Sequence, residues 1–451
     1  MSRRGGHVAE PASPGFRPMR IDDVELSEPL PELQAGLTED EKPFAASLCL
    51  ARLHGRPLGI AEIDLPAGGL PPGRLAEALN AELGEPIAEH LRADGLPVAD
   101  LTADGISSPE RPACVLEREQ LLSDPPFVSV VVVTRDRPDR ALATVRSILK
   151  SNYPADRFEV IVVETPVEEP PVAGRIDEAR GDQNTTVRVV HQPKRGISLA
   201  RNTGLEAAEG EIVVFADDDS DVDLDWLAIL IAGFARGDNV GATSGITLPG
   251  SVETPSQRWF EGFGGLERGF ETRIYDLANP PADQPLFPFT PGALGSGRSM
   301  AFRRDAFREI GGFDLTLGPP TPTRAGEDID GLLRMLLAGH QVVHDPSAVV
   351  WHAHLPDYGM LRTRMWGYGV GVSACLTKTV LENPRLLPAF LRRLPGGVRF
   401  ALSPSSEKNR RRQSDFPREL VGLERRGLAY GPLAYARSRW QQRAARAGTA
   451  S

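Results

Sequence analysis

Short runs of β-branched residues, separated by helical patterns, constrain the fold of this chain more than any other feature. Residues Val128 to Val133 read VSVVVV, a continuous run typical of a strand that is buried on both faces. Pro138 then opens a helical pattern, and a second run, EVIVV, follows at 159–163. Similar runs come at 187–191 and 211–216. This alternation predicts a parallel sheet covered by helices.

The length and composition indicate a globular protein with more than one domain. The chain has 451 residues, of which 41% are apolar and 25% charged, and these values exclude collagen-like, disordered and polytopic membrane proteins. No apolar run approaches the roughly 20 residues that a membrane-spanning helix needs. We expect a disordered leader at 1–17, a small accessory α+β domain at 18–112, a large α/β domain at 125–375 and a helical, arginine-rich C-terminal extension at 376–451.

The N-terminus and the cysteines bear on the compartment. The first residues lack the apolar segment of a secretory signal. The three cysteines, Cys49, Cys114 and Cys375, are odd in number, far apart and without the spacing of metal ligands. This pattern suits a reducing compartment and predicts neither a disulfide framework nor a zinc site. We therefore expect a cytoplasmic protein.

The charge is unevenly distributed along the chain. The formal net charge is −10, yet the residues from Leu391 to the C-terminus hold 14 Lys and Arg against 4 Asp and Glu. A basic tail on an acidic body suits peripheral contact with the inner face of the plasma membrane. A solvated arginine-rich tail is the simpler interpretation, and the prolines between Leu381 and Phe400 argue against a long amphipathic helix there. We expect no nucleic-acid partner.

Polar residues follow three of the predicted strands at the point where each strand ends. They are Thr134-Arg135-Asp136, Glu164 and the triplet Asp217 to Asp219. In an open α/β sheet, ligands bind at the carboxyl ends of the strands. Carboxylates at i and i+2, such as Asp217 and Asp219, can turn toward one Mg²⁺ or Mn²⁺ ion, although acidic triplets also occur in helix caps and solvated loops.

Three nucleotide-binding classes can be compared with this pattern. TRDRP follows Val133 where a dinucleotide site would need G-x-G-x-x-G, and the chain contains no G-x-x-x-x-G-K-[ST] loop. Sugar nucleotidyltransferases share a similar sheet but normally open it with a Gly-rich, Arg-containing loop, which this chain lacks. The first two classes are excluded and the third is disfavoured.

A series of motifs then carries a family resemblance. The pieces are VSVVVVTRDRP, EVIVVE, ISLARNTGLEAAEGEIVVFADDD, GSGRSMAFRRDAFREIGGFD, GEDIDGLLRMLLAGH and VVWHAH. In this order, between Ser129 and His354, they resemble an inverting family 2 glycosyltransferase, in particular soluble actinobacterial members with an N-terminal accessory domain. The resemblance implies the GT-A fold, a Rossmann-like mixed sheet of nucleotide-diphospho-sugar transferases with helices on both faces, beside the small N-terminal α+β domain.

The resemblance also implies a set of nucleotide-binding residues. Glu164 falls where members commonly have an Asp that accepts a hydrogen bond from N3–H of a uracil-type ring, which favours UDP or TDP donors over GDP donors. Asn202 has the alternative role of packing its helix against the aspartate loop. The whole set is Thr134, Arg135, Glu164, Arg195, Asn202 and Asp217.

A metal site is implied beside the nucleotide. Asp217 and Asp219 match the family's D-x-D, which binds a divalent cation and, through it, the diphosphate. His352 and His354 follow the apolar strand AVVW and share one face by the two-residue period. The resemblance favours His352 as the third ligand, with His354 as the alternative. An imidazole ligand favours Mn²⁺ over Mg²⁺.

Glu327 and Asp328 match the acidic pair that holds the general base in the family, and we assign the base to Asp328. An inverting transfer needs one carboxylate to take the acceptor hydroxyl's proton during attack on C1. The same acids also suit the first turn of a helix, where they complement its dipole.

The sequence therefore predicts a metal-dependent, inverting glycosyltransferase. Its donor would be a nucleoside-diphosphate sugar, and its acceptor a glycan, a lipid-linked intermediate or a small molecule in exopolysaccharide, cell-envelope or natural-product glycosylation. Two alternatives stay open. They are a sugar-1-phosphate nucleotidyltransferase and a sugar-nucleotide-binding module without turnover.

Overall fold

A large mixed sheet forms the centre of the protein. The computed structural model describes residues 10–165, 172–181, 184–263, 269–354, 356–406, 408–409, 412 and 415–448. The strands of these residues are β1 (Met19–Glu25), β2 (Ala46–Leu53), β3 (Arg56–Asp64), β4 (Val128–Thr134), β5 (Phe158–Glu164), β6 (Thr186–His191), β7 (Ile212–Asp217), β8 (Ser220–Val222), β9 (Val240–Pro249), β10 (Arg273–Tyr275), β11 (Met300–Arg303) and β12 (Gln341–His352).

Helices cover this sheet and extend the chain beyond it. They are α1 (Pro72–Ala93), α2 (Ala113–Ser123), α3 (Pro138–Leu149), α4 (Ile176–Arg180), α5 (Ile197–Ala207), α6 (Trp226–Ala232), α7 (Pro255–Glu261), α8 (Arg304–Glu309), α9 (Glu327–Leu337), α10 (Tyr358–Glu382), α11 (Leu387–Leu402) and α12 (Arg418–Gly448). Single turns of 3-10 helix lie at Val172–Gly174, Gly233–Ala235, Pro291–Leu294 and Pro384–Leu386.

The strand order explains why the polar strand ends meet. Within the described residues the central sheet runs β10-β12-β9-β11-β7-β4-β5-β6, and β8 pairs with β12. Strands β7, β4, β5 and β6 are parallel, and β11 is antiparallel to both β7 and β9. The carboxyl ends of β7, β4 and β5 therefore lie side by side at one edge of the sheet.

Both faces of the sheet are buried, as the continuous apolar runs predict. Along β4, Val130 and Val132 pack with α3 on one face, whereas Val131 and Val133 pack with α5 on the other. The close approach of α5 requires a glycine, because a Cβ at Gly204 would lie 2.3 Å from Cγ1 of Val131. The two core clusters therefore hold β4 and its polar end rigidly.

The accessory domain is a three-stranded sheet with α1 packed against it. Strands β1 and β2 are parallel, and β2 and β3 are antiparallel. The domain is also continuous with the central sheet, because Leu50 of β2 packs with Leu248 of β9 and Val349 of β12. It is not an independent module connected only by a linker.

The C-terminal helices pack beside the edge of the sheet where the polar strand ends meet. Helices α10 and α12 approach closely through glycines, since a Cβ at Gly369 would lie 2.2 Å from the carbonyl oxygen of Glu424. Lys378 of α10 is buried and pairs with Asp330 of α9, with 3.0 Å between Nζ and Oδ1. None of the helices in the described residues combines the length and apolarity that a membrane-spanning segment requires.

The boundaries of the predicted regions differ from the structure in three places. Residues 113–123, which lie between the two predicted domains, form α2. The boundary drawn after residue 375 falls inside α10, which continues to Glu382. Residues 1–9 of the predicted leader lie outside the described residues, and Glu10 accepts a hydrogen bond from the backbone N–H of Ser256 at 2.9 Å.

Candidate active site

The register of the parallel strands brings the predicted residues to one edge. Thr134 at the end of β4 is the direct neighbour of Glu164 at the end of β5, and Val133 is the neighbour of Asp217 at the end of β7. Asp328 reaches the same region from the first turn of α9. Asp217 at the end of β7 and the first turn of α9 border one open cleft of about 2830 Å³, whereas Thr134, Glu164, Asp219 and His352 are not among its lining residues.

A buried arginine links two of the predicted acids. Arg201 of α5 is 2% exposed, and its guanidinium donates to Oδ1 of Asp217 at 2.9 Å and to Oε1 of Glu327 at 3.0 Å. Burial opposes the charge of Arg201, but Asp217 and Glu327 outweigh it and raise the pKa of the arginine. Burial and the neighbouring Asp328 raise the pKa of Glu327. Glu327 is therefore held as the partner of Arg201.

Asp328 differs from Glu327 in both exposure and contacts. Its side chain is partly exposed and borders the cleft. Oδ2 accepts a hydrogen bond from the backbone N–H of Gly297 at 2.8 Å, and Oδ1 accepts one from that of Ile329 at 2.9 Å. Two backbone donors thus fix the carboxylate without neutralising it with a cation, which leaves it available as a proton acceptor.

The middle aspartate of the triplet has a separate, structural position. Asp218 is buried and accepts a hydrogen bond from Oγ1 of Thr134 at 2.8 Å. Burial raises the pKa of Asp218 to about 6. The contact ties the end of β4 to the loop after β7, so Thr134 contributes to the shape of this edge through Asp218.

Asp219 lies next to His352. Oδ2 of Asp219 is 3.5 Å from Nε2 of His352 and 3.4 Å from the guanidinium of Arg137. His352 is buried, and that burial lowers the pKa of its imidazole to about 4, with Arg298 acting in the same direction. The ring is therefore neutral near pH 7, as a metal ligand must be.

A relay of hydrogen bonds sets the tautomer of His352. Glu261 accepts from Nε2 of His354, and Nδ1 of His354 lies 2.7 Å from Nδ1 of His352. Because His354 uses its proton on Glu261, His352 donates from Nδ1 and presents a lone pair at Nε2. This Nε2 is buried and makes no hydrogen bond. The relay selects His352, and not His354, as the residue whose free nitrogen faces Asp219.

The donor set fits a divalent cation in part. Asp219 and His352 present an oxygen and a nitrogen toward each other, a combination that suits Mn²⁺. Asp217 does not converge with them, because its two oxygens face Arg201 and, at 3.8 Å, Arg298. Asp217 would join the pair only after its carboxylate turns away from the arginines.

Glu164 is buried, and only one of its two carboxylate oxygens accepts a hydrogen bond. Oε1 accepts a hydrogen bond from the backbone N–H of Val172 at 2.6 Å, whereas Oε2 makes none and lies 3.5 Å from Nδ1 of His191. A buried acceptor without a donor costs about 1–3 kcal/mol. Glu164 therefore offers one unused hydrogen-bond acceptor at the end of β5.

The remaining predicted nucleotide residues have no polar contact with this cluster among those described. Arg135 is half exposed and pairs with its neighbour Asp136 at 3.1 Å. Arg195 is exposed in the loop before α5. The side-chain amide of Asn202 donates from Nδ2 to the carbonyl oxygen of Phe313 and accepts at Oδ1 from its backbone N–H, both at 2.8 Å, which holds α5 against the turn after α8. Their contact with a nucleotide stays a prediction.

Sequence reasoning missed three residues of this site. Arg201 lies within the ARN motif, but nothing in the sequence shows that it is buried between two acids. Arg298 follows Gly297 and is largely buried near Asp217. Glu261 is far from His354 in sequence. Only the GSGR motif carried a local signal, a cationic residue directly after glycines that allow close backbone approach.

The fold and these contacts define a class of protein. A mixed sheet with acids at the ends of its parallel strands, faced by an acid-bearing helix, is the GT-A arrangement of nucleotide-diphospho-sugar transferases. More particularly, residues 129–311 match the family model described as Glycosyl transferase family 2, and this segment belongs to that family. Glu327, Asp328 and His352 lie C-terminal to the matched residues.

Curated relatives include proteins that are named as glycosyltransferases. Glucosyl-dolichyl phosphate glucuronosyltransferase of Haloferax volcanii is 29% identical over 197 residues, which cover 42% of this chain and 57% of that protein. Pre-mycofactocin glycosyltransferase of Mycobacterium tuberculosis is 29% identical over 169 residues, covering 37% and 32% respectively. Succinoglycan biosynthesis protein ExoM of Rhizobium meliloti is 28% identical, covering 51% and 67%. The chain spans about half the length of these relatives.

Solved structures with a similar fold include the mannosyltransferase PcManGT from Pyrobaculum calidifontis in complex with GDP-Man and Mn²⁺. It is 20% identical and has a TM-score of 0.43, with 74% of this chain and 81% of that chain covered. S. aureus TarS 1–349 in complex with UDP-GlcNAc is 17% identical at a TM-score of 0.39, with 71% and 92% covered. At such scores the superpositions are too loose to transfer the role of any residue.

Proposed function

We propose that the protein is an inverting, divalent-cation-dependent glycosyltransferase that uses a nucleoside-diphosphate sugar. The observation that carries the proposal is the position of Asp328. It borders the same cleft as Asp217, and backbone N–H groups hold its carboxylate while the neighbouring Glu327 neutralises Arg201. Asp328 is thus available for proton transfer, while Glu327 and Asp217 pair with Arg201.

Asp328 takes the proton in the proposed reaction. The acceptor hydroxyl binds within hydrogen-bond reach of its carboxylate, and the oxygen attacks C1 of the donor sugar from the face opposite the diphosphate. The bond from C1 to the diphosphate breaks as the new C–O bond forms, so the configuration at C1 inverts. The backbone N–H of Gly297 fixes Oδ2 of Asp328. The position requires a glycine, because a Cβ there would lie 2.7 Å from the guanidinium of Arg201.

The diphosphate end of the donor lies at Asp217 and Asp219. A divalent cation bound by these acids and His352 would neutralise charge on the departing diphosphate. The chain's own cations contribute as well, since the guanidinium of Arg298 is largely buried beside Asp217 and that of Arg137 lies beside Asp219. Displacement of Asp217 from Arg201 would free that arginine to bind a phosphate oxygen.

Glu164 supports a preference for uracil or thymine. With Oε1 occupied by Val172, only Oε2 remains as an acceptor. One acceptor matches the single ring N3–H of uracil or thymine, whereas guanine presents N1–H and an amino group together. We therefore propose a UDP- or TDP-sugar as the donor.

The acceptor in this proposal is a glycan, a lipid-linked intermediate or a small molecule. The structure favours the lipid-linked class through α11, which has an exposed stripe formed by Leu387, Leu391, Leu394, Val398 and Leu402. Phe390 and Leu394 of the same helix border the cleft. A helix that lies on a membrane in this way would bring a lipid-linked acceptor to Asp328.

Nucleotide release tests the proposal against its alternatives. The purified chain is incubated with UDP-, TDP- and GDP-sugars, with Mn²⁺, Mg²⁺ or chelator. Cation-dependent release of UDP or TDP is expected, and it should increase when an acceptor is added. Pyrophosphate formed from a nucleoside triphosphate and a sugar 1-phosphate would instead identify a nucleotidyltransferase. Nucleotide binding without any turnover would identify a binding module.

A further inference from the structure

A cluster of four potential metal ligands lies in the accessory domain, far in sequence from the catalytic acids. It consists of His54, His90, Asp94 and Cys114, with one ligand atom from each residue within 4.8 Å of the others. Among the described residues, it is the only group of three or more such side chains this compact. The spacing of the cysteines in the sequence indicated no zinc site. Cys114 and the two histidines form no local motif, and only the fold brings them together.

The distances within the cluster are slightly shorter than those between the ligands of a tetrahedral ion. Ligand atoms about 2.0–2.3 Å from zinc lie roughly 3.3–3.8 Å from one another in a tetrahedron. Nε2 of His90 is 3.8 Å from Sγ of Cys114 and 3.1 Å from Oδ2 of Asp94. Oδ2 of Asp94 is 3.0 Å from Sγ of Cys114 and 2.7 Å from Nδ1 of His54. Small outward movements would give the tetrahedral spacing.

Asp94 holds the side chains of the cluster together through its carboxylate. Three side chains converge on one oxygen, Oδ2, while Oδ1 is held by the backbone N–H of Cys114 at 2.9 Å. The imidazole rings of His54 and His90 face each other with their centroids 5.3 Å apart. The four ligand atoms thus surround one small volume, and an ion bound there would replace the hydrogen bonds to Oδ2.

The environment also suits a bound ion of this kind. The side chains of His54 and Asp94 are 7% and 4% exposed, so water is largely excluded. A thiolate from Cys114 and a carboxylate from Asp94 would neutralise Zn²⁺ completely, which favours burial. The set of two imidazole nitrogens, one sulfur and one oxygen suits zinc better than Mg²⁺ or Ca²⁺, which prefer oxygen alone.

We propose that His54, His90, Asp94 and Cys114 bind one structural zinc ion. The ion joins three segments of chain: the β2–β3 turn at His54, the end of α1 and the start of α2. Binding replaces the thiol proton of Cys114, which goes to solvent. With four protein ligands the site is closed, so its role is to fix α2 and not to take part in catalysis.

The position of α2 indicates what the bound ion would stabilise. Arg118 of α2 pairs with Asp225 of the catalytic domain at 3.1 Å. A zinc ion at the start of α2 therefore holds the helix that connects the accessory domain to the loop after β8. This inference does not depend on the proposed glycosyl transfer.

Cobalt substitution of the full-length protein tests the site. The purified chain is stripped with a chelator and titrated with Co²⁺, because a cobalt–thiolate bond gives a charge-transfer band that oxygen and nitrogen ligands do not. About one equivalent of Co²⁺ should produce this band in the wild type, and Zn²⁺ should remove it. C114S should abolish the band, whereas the matched variants C49S and C375S should keep it.

Two further measurements keep the test decisive. D219N removes a ligand of the catalytic site and should leave the thiolate band unchanged, which separates the two sites. If C114S does not fold, H90Q and the wild-type titration decide instead. A folded wild-type chain without a thiolate band, or a band that persists in C114S, would overturn the proposal.

Discussion

At the scale of single residues, Arg201 organises the candidate site. It is buried between Asp217 and Glu327 and approaches the carbonyl oxygen of Gly297 at 3.4 Å. The same guanidinium therefore touches a proposed metal ligand, the partner of the proposed base and the loop that holds the base. A buried cation of this kind costs free energy unless its partners are intact.

The pair of Arg201 and Glu327 should show strong coupling. R201M removes the buried cation that pairs with both Asp217 and Glu327, so the free energy of unfolding should fall by about 3–5 kcal/mol. The double variant R201M/E327Q should recover part of this loss, because it removes the second charge as well. Urea unfolding of the wild type, R201M, E327Q and the double variant gives a double-mutant cycle that measures the coupling. Additive effects of the two substitutions would contradict the pairing.

Asp328 should affect the chemical step and not donor binding. D328N keeps the size of the side chain but removes the proton acceptor, so single-turnover transfer should slow by roughly 10²–10⁴-fold. Donor affinity, measured by calorimetry, should change little. D305N, which alters an exposed acid at the start of α8, is the matched control and should be active. Normal transfer by D328N would exclude this residue as the base.

At the scale of helices and strands, much of the fold could be predicted from the sequence. The run VSVVVV and the pattern after Pro138 correspond to β4 and α3, because burial on both faces demands continuous apolar residues. The acids Asp217 and Glu164 were found because strand ends meet at a sheet edge. Arg201 was missed, since the same pattern reveals a buried face of α5 but not the charge of its neighbours.

The crossing of α10 and α12 depends on glycines, and two glycines of α12 allow a matched test. A Cβ at Gly427 would lie 2.4 Å from the carbonyl oxygen of Trp366, whereas a Cβ at Gly422 would meet nothing within 4 Å. G427A should therefore destabilise the protein, and G422A should stabilise it by about 0.5–1 kcal/mol through helix propensity. Thermal unfolding compares them. Equal shifts in both variants would mean that the crossing tolerates a methyl group.

Helix α11 differs from the expectation that prolines would prevent a helix there. Pro388 lies in its first turn, where no backbone donor is lost, and the helix continues through Pro395 to Leu402. Its exposed leucines lie beside Arg392 and Arg399, which are also exposed. An apolar stripe flanked by arginines has the composition of a helix that binds an anionic membrane surface.

Vesicle binding tests this interpretation of α11. Wild-type protein should sediment with anionic vesicles at low salt and less at high salt, because each arginine near the surface contributes about 1 kcal/mol. The double variant L391Q/L394Q should bind at least about 10-fold more weakly. L116Q changes an exposed leucine on α2 and should bind like the wild type. Equal binding of all three proteins would exclude α11 as the contact.

At the scale of the whole molecule, the accessory domain and the central sheet form a common structure. Leu50 packs between the two sheets, and Met19 of β1 exchanges backbone hydrogen bonds with Val252 after β9. Polar contacts, such as that of Arg118 in α2 with Asp225, also join the accessory domain to the catalytic domain. The domain therefore supports the sheet that carries the proposed catalytic and metal-binding acids.

Arg52 makes a buried polar contact across the boundary between the accessory domain and the central sheet. It is 6% exposed, and its guanidinium binds Asp23 at 2.6 Å within the accessory domain and Asp223 at 2.8 Å in the catalytic domain. R52M should leave Asp223 without its cation, so the two domains should separate more readily while each keeps its own core. Trypsin should then cleave near Arg111 and Arg118 faster than in the wild type, because local opening exposes the connecting segment.

The control for this experiment is R74M, which removes an exposed arginine of α1 that pairs only with Glu77 in the described contacts. Its cleavage rate should match the wild type, since an exposed pair contributes about 0–1 kcal/mol. If R52M also lowers transfer activity while D328N leaves the proteolysis rate unchanged, the boundary supports catalysis through the position of the sheet. Unchanged cleavage in R52M would instead show that the apolar contacts of Leu50 and Val252 hold the domains together without the ion pair.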